Sequence, residues 1–241
     1  MAVFSKTDVG KKRTVNQDAF FTGEFDNGAT FAVVCDGMGG AAAGNVASER
    51  AASMIFNYVV RSYSPKMNSV SIEKMLRAAV ETANDEIWEL ASRKEDYFGM
   101  GTTAVAVLVA DNLIHVVHVG DSRAYLIDAD SIEKLTTDHS IVQDLLSKGE
   151  ITEAEAKTHP KRNIITRAVG ADKTVVCDYN ITLKTESSSV LICTDGLSNL
   201  LSEEELIGTV HSLPPEECVE SLINQANEKG GPDNITAVLI Y

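Results

Sequence analysis

Apolar and polar positions along the chain fall into short strand-like runs interrupted by longer helical stretches. Residues 20–25 and 30–35 read as strands flanking Asp26-Asn27-Gly28, whose Asn-Gly step favours a tight hairpin turn. Helices are predicted over about 43–61 and 71–92. In the second, Ile72, Met75, Leu76, Ala79, Val80, Ala83, Ile87, Leu90 and Ala91 recur at three- and four-residue steps, so one face is buried. Strands return at 103–110, 113–119 and 123–127, with Asp111-Asn112 forming a second hairpin turn. Helix follows at 141–148 and again from Thr152, where Thr152 and Glu155 make a capping box. Runs 175–183 and 190–193 are strands. Ser202 and Glu205 cap a helix pair ending near Lys229, and 235–240 closes the chain as a strand.

This order lacks the strict alternation of a doubly wound parallel sheet. It predicts an α+β fold of stacked antiparallel sheets covered by paired helices. No run rich in Ser, Gly or Pro reads as a linker, so residues 1–241 are expected to form one domain.

Composition narrows the partners. The 241 residues are 44% hydrophobic and 23% charged, as in ordinary globular proteins. The formal net charge of −14 disfavours nucleic acid and anionic membrane surfaces. It leaves phosphorylated substrates open, because cations bound in an acidic site reverse the local sign. The most apolar stretch, 102–119, is broken by Asp111, Asn112 and two histidines, and the N-terminus has no signal-like apolar core. A cytoplasmic protein without membrane insertion is expected. Cys35, Cys177, Cys193 and Cys218 are scattered, and none opens a C-x5-R phosphate loop. They are expected to be reduced, with Cys35 and Cys193 acting as small hydrophobes inside apolar runs.

The candidate chemistry lies where apolar strands run into aspartates. Val33-Val34-Cys35 leads into Asp36-Gly37, and Val190 to Thr194 leads into Asp195-Gly196. Val116 to Val119 leads into Gly120-Asp121, while Asp233-Asn234 immediately precedes the last strand. A single Asp-Gly is ordinary turn chemistry. Four such aspartates at strand ends could gather at one edge of a sandwich, where like charges repel unless cations sit between them. Oxygen-only ligands suit hard ions such as Mg²⁺ or Mn²⁺. The glycines after Asp36 let backbone approach a ligand, so the Gly37 carbonyl is a further candidate. In Arg13-Thr14-Val15-Asn16-Gln17-Asp18, the planar fork of Arg13 suits a phosphate dianion and Asp18 adds another carboxylate.

These strings, together with Gly99-Met100-Gly101-Thr102-Thr103 and Gly120-Asp121-Ser122-Arg123, resemble the type 2C (PPM) metal-dependent protein serine/threonine phosphatases. The resemblance spans essentially the whole chain in family order and is greatest to the short bacterial members. It implies a four-layer αββα sandwich of two antiparallel sheets flanked by helix pairs. It also implies two Mn²⁺ or Mg²⁺ ions. Asp36, Asp195 and Asp233 would hold the first, and Asp18, Asp36 and the Gly37 carbonyl the second, with Asp36 bridging. Asp121 with Asp195 would hold a third, weaker ion. A water between the cations would attack phosphorus in line without a phosphoenzyme, with Arg13 binding the phosphate and Asp36 and Asp195 central to catalysis. The implied substrates are phosphoserine and phosphothreonine in proteins, including a bacterial Ser/Thr kinase, and the implied state is a monomer in bacterial signalling. A mobile flap that bears on substrate choice is placed between Asp138 and Gly170.

One position departs from the family. Ala41 stands where a histidine is common, and loss of a positioned general acid removes a factor of about 10²–10⁴. Either a metal-bound water or another residue donates the proton, or the enzyme is slow on poor leaving groups; mild slowness is expected. A phosphatase-like regulatory module and a two-metal nuclease remain as alternatives; the intact aspartates with Arg13 oppose the first and the acidic surface the second. Gly99 to Ala104 matches a dinucleotide fingerprint but follows a helix and opens a strand, so it is rejected. His115 and His118 should point to opposite faces of one strand, and His139 and His159 receive no catalytic role.

Overall fold

The computed structural model describes residues 1–39 and 43–241. In chain order it contains β1 (Val3–Asp8), β2 (Asp18–Glu24), β3 (Thr30–Met38), α1 (Ala43–Ser62) and α2 (Ser69–Arg93). Then come β4 (Gly101–Thr102), β5 (Ala104–Ala110), β6 (Leu113–Val119), β7 (Arg123–Asp128), β8 (Ser131–Lys134), α3 (Ile141–Ser147) and α4 (Glu153–Thr158). The remainder is β9 (Asp178–Leu183), β10 (Ser189–Cys193), α5 (Asp195–Ser198), α6 (Glu203–Ser212), α7 (Pro215–Glu228) and β11 (Ile235–Ile240).

The strands form two antiparallel sheets. One runs β1-β11-β10-β7-β8 and the other β2-β3-β5-β6-β9, with β4 pairing on β3. Alternation along each strand divides the apolar side chains between two faces. Ala32, Val34, Val105, Val107, Val116, Ile192 and Val238 meet between the sheets. Phe31, Val33 and Leu108 point outward onto Ile55, Leu76 and Val80 of α1 and α2. On the other side, Leu191 and Leu239 meet Leu206, Leu222 and Ile223 of α6 and α7. The layers are thus helix, sheet, sheet, helix, as the resemblance implies.

The expected hairpins and both capping boxes are present, and Asp111 and Asn112 take left-handed φ of 49° and 60°. The strand expected from 175 begins instead at Asp178. Its partner β6 offers His118 as the last pair, and Gly120 then turns away at φ 100°. Two short edge strands, β1 and β8, have no counterpart in the pattern-based reading. β1 pairs with β11 throughout its length, so the first and last strands of the chain are neighbours.

Candidate active site

The ends of β3, β6 and β10 and the start of β11 converge on one cleft of about 260 Å³. Asp36, Asp121, Asp195 and Asp233 line it together, with Gly37 and Arg13. Four aspartates from stretches far apart in sequence therefore meet in one place.

Local hydrogen bonds fix each carboxylate from behind. The Asp36 N–H donates to Thr103 Oγ1 at 2.9 Å, and the Asp36 carbonyl accepts from Thr103 N–H and from Thr102 Oγ1. Thr103 Oγ1 also lies 2.7 Å from Ser122 Oγ, which ties β3 to the turn carrying Asp121. A Cβ on Gly37 would lie 2.0 Å from the Gly44 carbonyl oxygen, so only glycine fits. Asp195 opens α5, and a Cβ on the next residue, Gly196, would lie 1.9 Å from the Asn234 carbonyl oxygen. Asn234 is a brace. Its side chain accepts from Gln17 N–H and donates to the Val9 and Val15 carbonyls, pinning the loop that carries Arg13. Arg13 Nη2 donates to Asp233 Oδ2 at 2.8 Å.

Asp18 sits differently. It does not line this cleft; it lies behind Asp36 and borders a second, larger hollow beside Phe20, Phe21 and Met54. Its Oδ2 accepts from Thr194 and Thr236 hydroxyls at 2.9 and 2.6 Å, while its buried Oδ1 has no partner. Gln17, one residue earlier, faces the cleft instead.

Electrostatics single out this group. Burial, and then the neighbouring carboxylates, push Asp18 and Asp121 up to about 7 and raise Asp36 well above the carboxylate range. Asp195 is raised by burial and then by Asp233. Carboxylates packed so closely favour a counter-ion. An unpartnered buried carboxylate oxygen and an all-oxygen donor set fit hard divalent cations. Asp36, Asp121, Asp195, Asp233 and the backbone at Gly37 line the cleft where such ions could be held, with Asp18 behind Asp36.

A model of the family described as protein phosphatase 2C matches residues 9–239. The chain belongs to that family. It is 37% identical over 238 residues to the serine/threonine phosphatase stp of Listeria monocytogenes, covering 98% of this chain and 93% of that protein. It is likewise 37% identical over 243 residues to the protein phosphatase PhpP of Streptococcus pneumoniae, covering 100% and 97%. Among solved structures, the S. agalactiae serine/threonine phosphatase superposes with a TM-score of 0.93 at 35% identity, covering 100% of this chain and 98% of that one. The Mycobacterium tuberculosis serine/threonine phosphatase PstP/Ppp gives 0.87 at 32%, covering 99% and 97%. Metal dependence is general to protein phosphatase 2C enzymes.

Several cleft residues of this phosphatase 2C chain were not singled out from sequence. Thr103 is buried at the cleft floor, and Asn163 and Ile165 approach from the far side of the α3–α4 segment. Thr103 lies in the Gly99-Met100-Gly101-Thr102-Thr103 string, which could have drawn notice to it, whereas Asn163 and Ile165 carry no local signal. Ala41 lies outside the described residues. His115 and His118 do take opposite faces. His115 Nδ1 lies 2.7 Å from the Tyr179 hydroxyl, and His118 stacks on His139.

One donor atom each from His118, His139 and Asp178 lie within 4.8 Å of one another. Hydrogen bonding argues against a metal there. His139 Nδ1 accepts from Gly120 N–H, which assigns its proton to Nε2, on the Asp178 side. Arg167 already supplies positive charge to Asp178, donating from Nη1 to Oδ1 at 2.9 Å.

Proposed function

We propose that this chain is a metal-dependent protein phosphatase that hydrolyses phosphoserine and phosphothreonine in proteins. The carrying observation is the meeting of Asp36, Asp121, Asp195 and Asp233 with Arg13 in one cleft. Bound divalent cations supply positive charge toward phosphoryl oxygens and a lowered pKa for water. Two Mn²⁺ or Mg²⁺ ions would fit the carboxylate count, and Asp121, sharing Asp195 with the first of them, would hold a third, weaker one.

The chain's own groups do the rest. The half-exposed guanidinium of Arg13 takes the phosphate dianion and stabilises its charge during transfer. The Thr103 and Asn234 hydrogen bonds hold the carboxylates and Arg13 in a preorganised frame. Among the described residues, neither the Thr103 hydroxyl nor the thiols are free to attack. The Thr103 hydroxyl is engaged by Asp36 N–H and Ser122, and all four cysteines are buried. These engaged hydroxyl and buried thiol groups support direct attack by water, without a phosphoenzyme.

We further infer that residues 1–241 act as one catalytic domain, as a cytoplasmic monomer, with a bacterial Ser/Thr kinase among its substrates. No helix among the described residues is long and apolar enough to cross a membrane.

The decisive experiment is hydrolysis of a phosphothreonine peptide across a Mn²⁺ titration, comparing wild type with Asp195→Asn. Metal-dependent turnover abolished in the variant is expected. Wild-type inactivity at every Mn²⁺ concentration would overturn the reading.

A further inference from the structure

The α3–α4 segment brings Asn163 and Ile165 to the cleft, and its two ends close on each other. Ser140 pairs with Ile165, and Ile141 N–H donates to the Ile164 carbonyl at 3.0 Å. Immediately outside that closure lies His139, which is 5% exposed.

His139 joins three parts of the molecule. Its N–H donates to the Gly120 carbonyl at 2.9 Å, and its Nδ1 accepts from Gly120 N–H at 3.1 Å, gripping the residue before Asp121 on both sides. Its carbonyl accepts from Thr166 N–H at 2.8 Å, on the returning arm of the segment. Its Nε2 faces Asp178 Oδ2 at 3.2 Å, at the start of β9. Arg167, one residue beyond Thr166, bonds the other oxygen of the same carboxylate. His118 stacks on the imidazole with centroids 4.8 Å apart, and donates from Nε2 to the Thr137 carbonyl.

Asp178 is thus the fixed point for both arms: it orients His139 on the outgoing arm and anchors Arg167 on the returning one. We propose that Asp178, His139 and Arg167 form a positioning clamp that sets the α3–α4 segment over the cleft and thereby favours phosphoprotein over small phosphate esters. None of the three lines the cleft, so each acts through residues that do. A phosphopeptide must run past Asn163 and Ile165, whereas a small aryl phosphate extends little beyond the phosphate itself. A misplaced wall therefore costs the larger substrate more.

This inference rests on the phosphatase reading, which wild-type turnover of both substrates checks separately. The test measures kcat and KM for a phosphothreonine peptide and for p-nitrophenyl phosphate at saturating Mn²⁺, in Asp178→Ala, Arg167→Ala and their double variant. Asp178 and Arg167 are both part-exposed, and melting temperatures are to be taken to check that the variants fold. The expected result is a loss of kcat/KM on the peptide about tenfold larger than on the aryl phosphate, carried by KM, with the double variant no worse than Asp178→Ala. Arg167→Lys should restore part of the loss. Equal losses on both substrates, no loss on either, or additive losses in the double variant would each overturn the clamp.

Discussion

Asp18 on β2 and Asp36 on β3 are directly opposed partners in the antiparallel register. Like charges placed opposite each other destabilise a strand pair. This hairpin therefore carries a standing electrostatic cost wherever both are ionised, and the cost is relieved by a proton or a cation.

The proton arm gives a signed expectation for metal-free protein. The Asp18 carboxyl is raised from 3.8 to about 7, by burial first and then by Asp195 and Asp233. Between those values the folded state binds the proton more tightly than the unfolded chain, so this group's contribution to stability falls as pH rises through that window and is flat above it. In chelator, Asp18→Asn should gain on wild type in melting temperature from about pH 4 to 7. Parallel melting curves across that range would refute the account.

The cation arm predicts thermal stabilisation. Wild-type protein should melt higher as Mn²⁺ or Mg²⁺ is added, by roughly 2–4 kcal/mol at 100- to 1,000-fold excess over Kd. Asp36→Asn, which removes one carboxylate of the opposed pair, should show a much smaller rise. Differential scanning fluorimetry reads both.

Arg13 offers a charge-specific test. It is half exposed and paired only with Asp233 in the salt bridges of the described residues, so Arg13→Ala should leave the fold intact. Loss of one preorganised charge stabiliser should lower kcat/KM by about 10²-fold. A phosphopeptide assay with an unchanged KM and kcat would remove Arg13 from the phosphate site.

Two glycines separate packing from conformation. Gly37→Ala drives a methyl into the Gly44 and Gln17 carbonyls and should abolish activity with a large drop in melting temperature. Gly208, inside α6, has open space where a Cβ would go, so Gly208→Ala should stabilise by about 0.4–1 kcal/mol without altering turnover. Urea unfolding distinguishes the two.

The Ala41 position carries a kinetic expectation. Ala41→His should speed hydrolysis of an alkyl phosphoserine peptide more than that of an aryl phosphate, because the poorer leaving group depends more on a proton donor. Equal rates in variant and parent would refute the idea that a missing acid limits this enzyme.

Much of this architecture was legible in the chain because apolar strands ending in Asp-Gly announce themselves twice over, once by periodicity and once by turn chemistry. Asp36 and Asp195 combine both signals, Asp121 follows the glycine after a strand and Asp233, with Asn234, directly precedes a strand, and all four share the cleft. Asp18 was legible as an acidic residue but not as one set behind its partner. A strand register decides that, and a one-residue step exchanges Gln17 for Asp18. Asn163 and Ile165 were illegible because only the folding-back of residues 140–165 brings them near the aspartates. The short edge strands β1 and β8 escaped because none of their residues is fully buried and their polar side chains leave no continuous apolar run. The clamp at His139 escaped for a related reason: its partners are backbone groups of Gly120 and Thr166, which no side-chain motif encodes.

Arg13 and Asp233 are 220 positions apart, and Asn234 ties the loop at Val9 and Val15 to the start of the closing strand. The pocket therefore cannot assemble while that strand is still inside the ribosome. A nascent chain carries every other acidic residue yet has no working centre, so hydrolytic capacity switches on only once translation has passed the last strand.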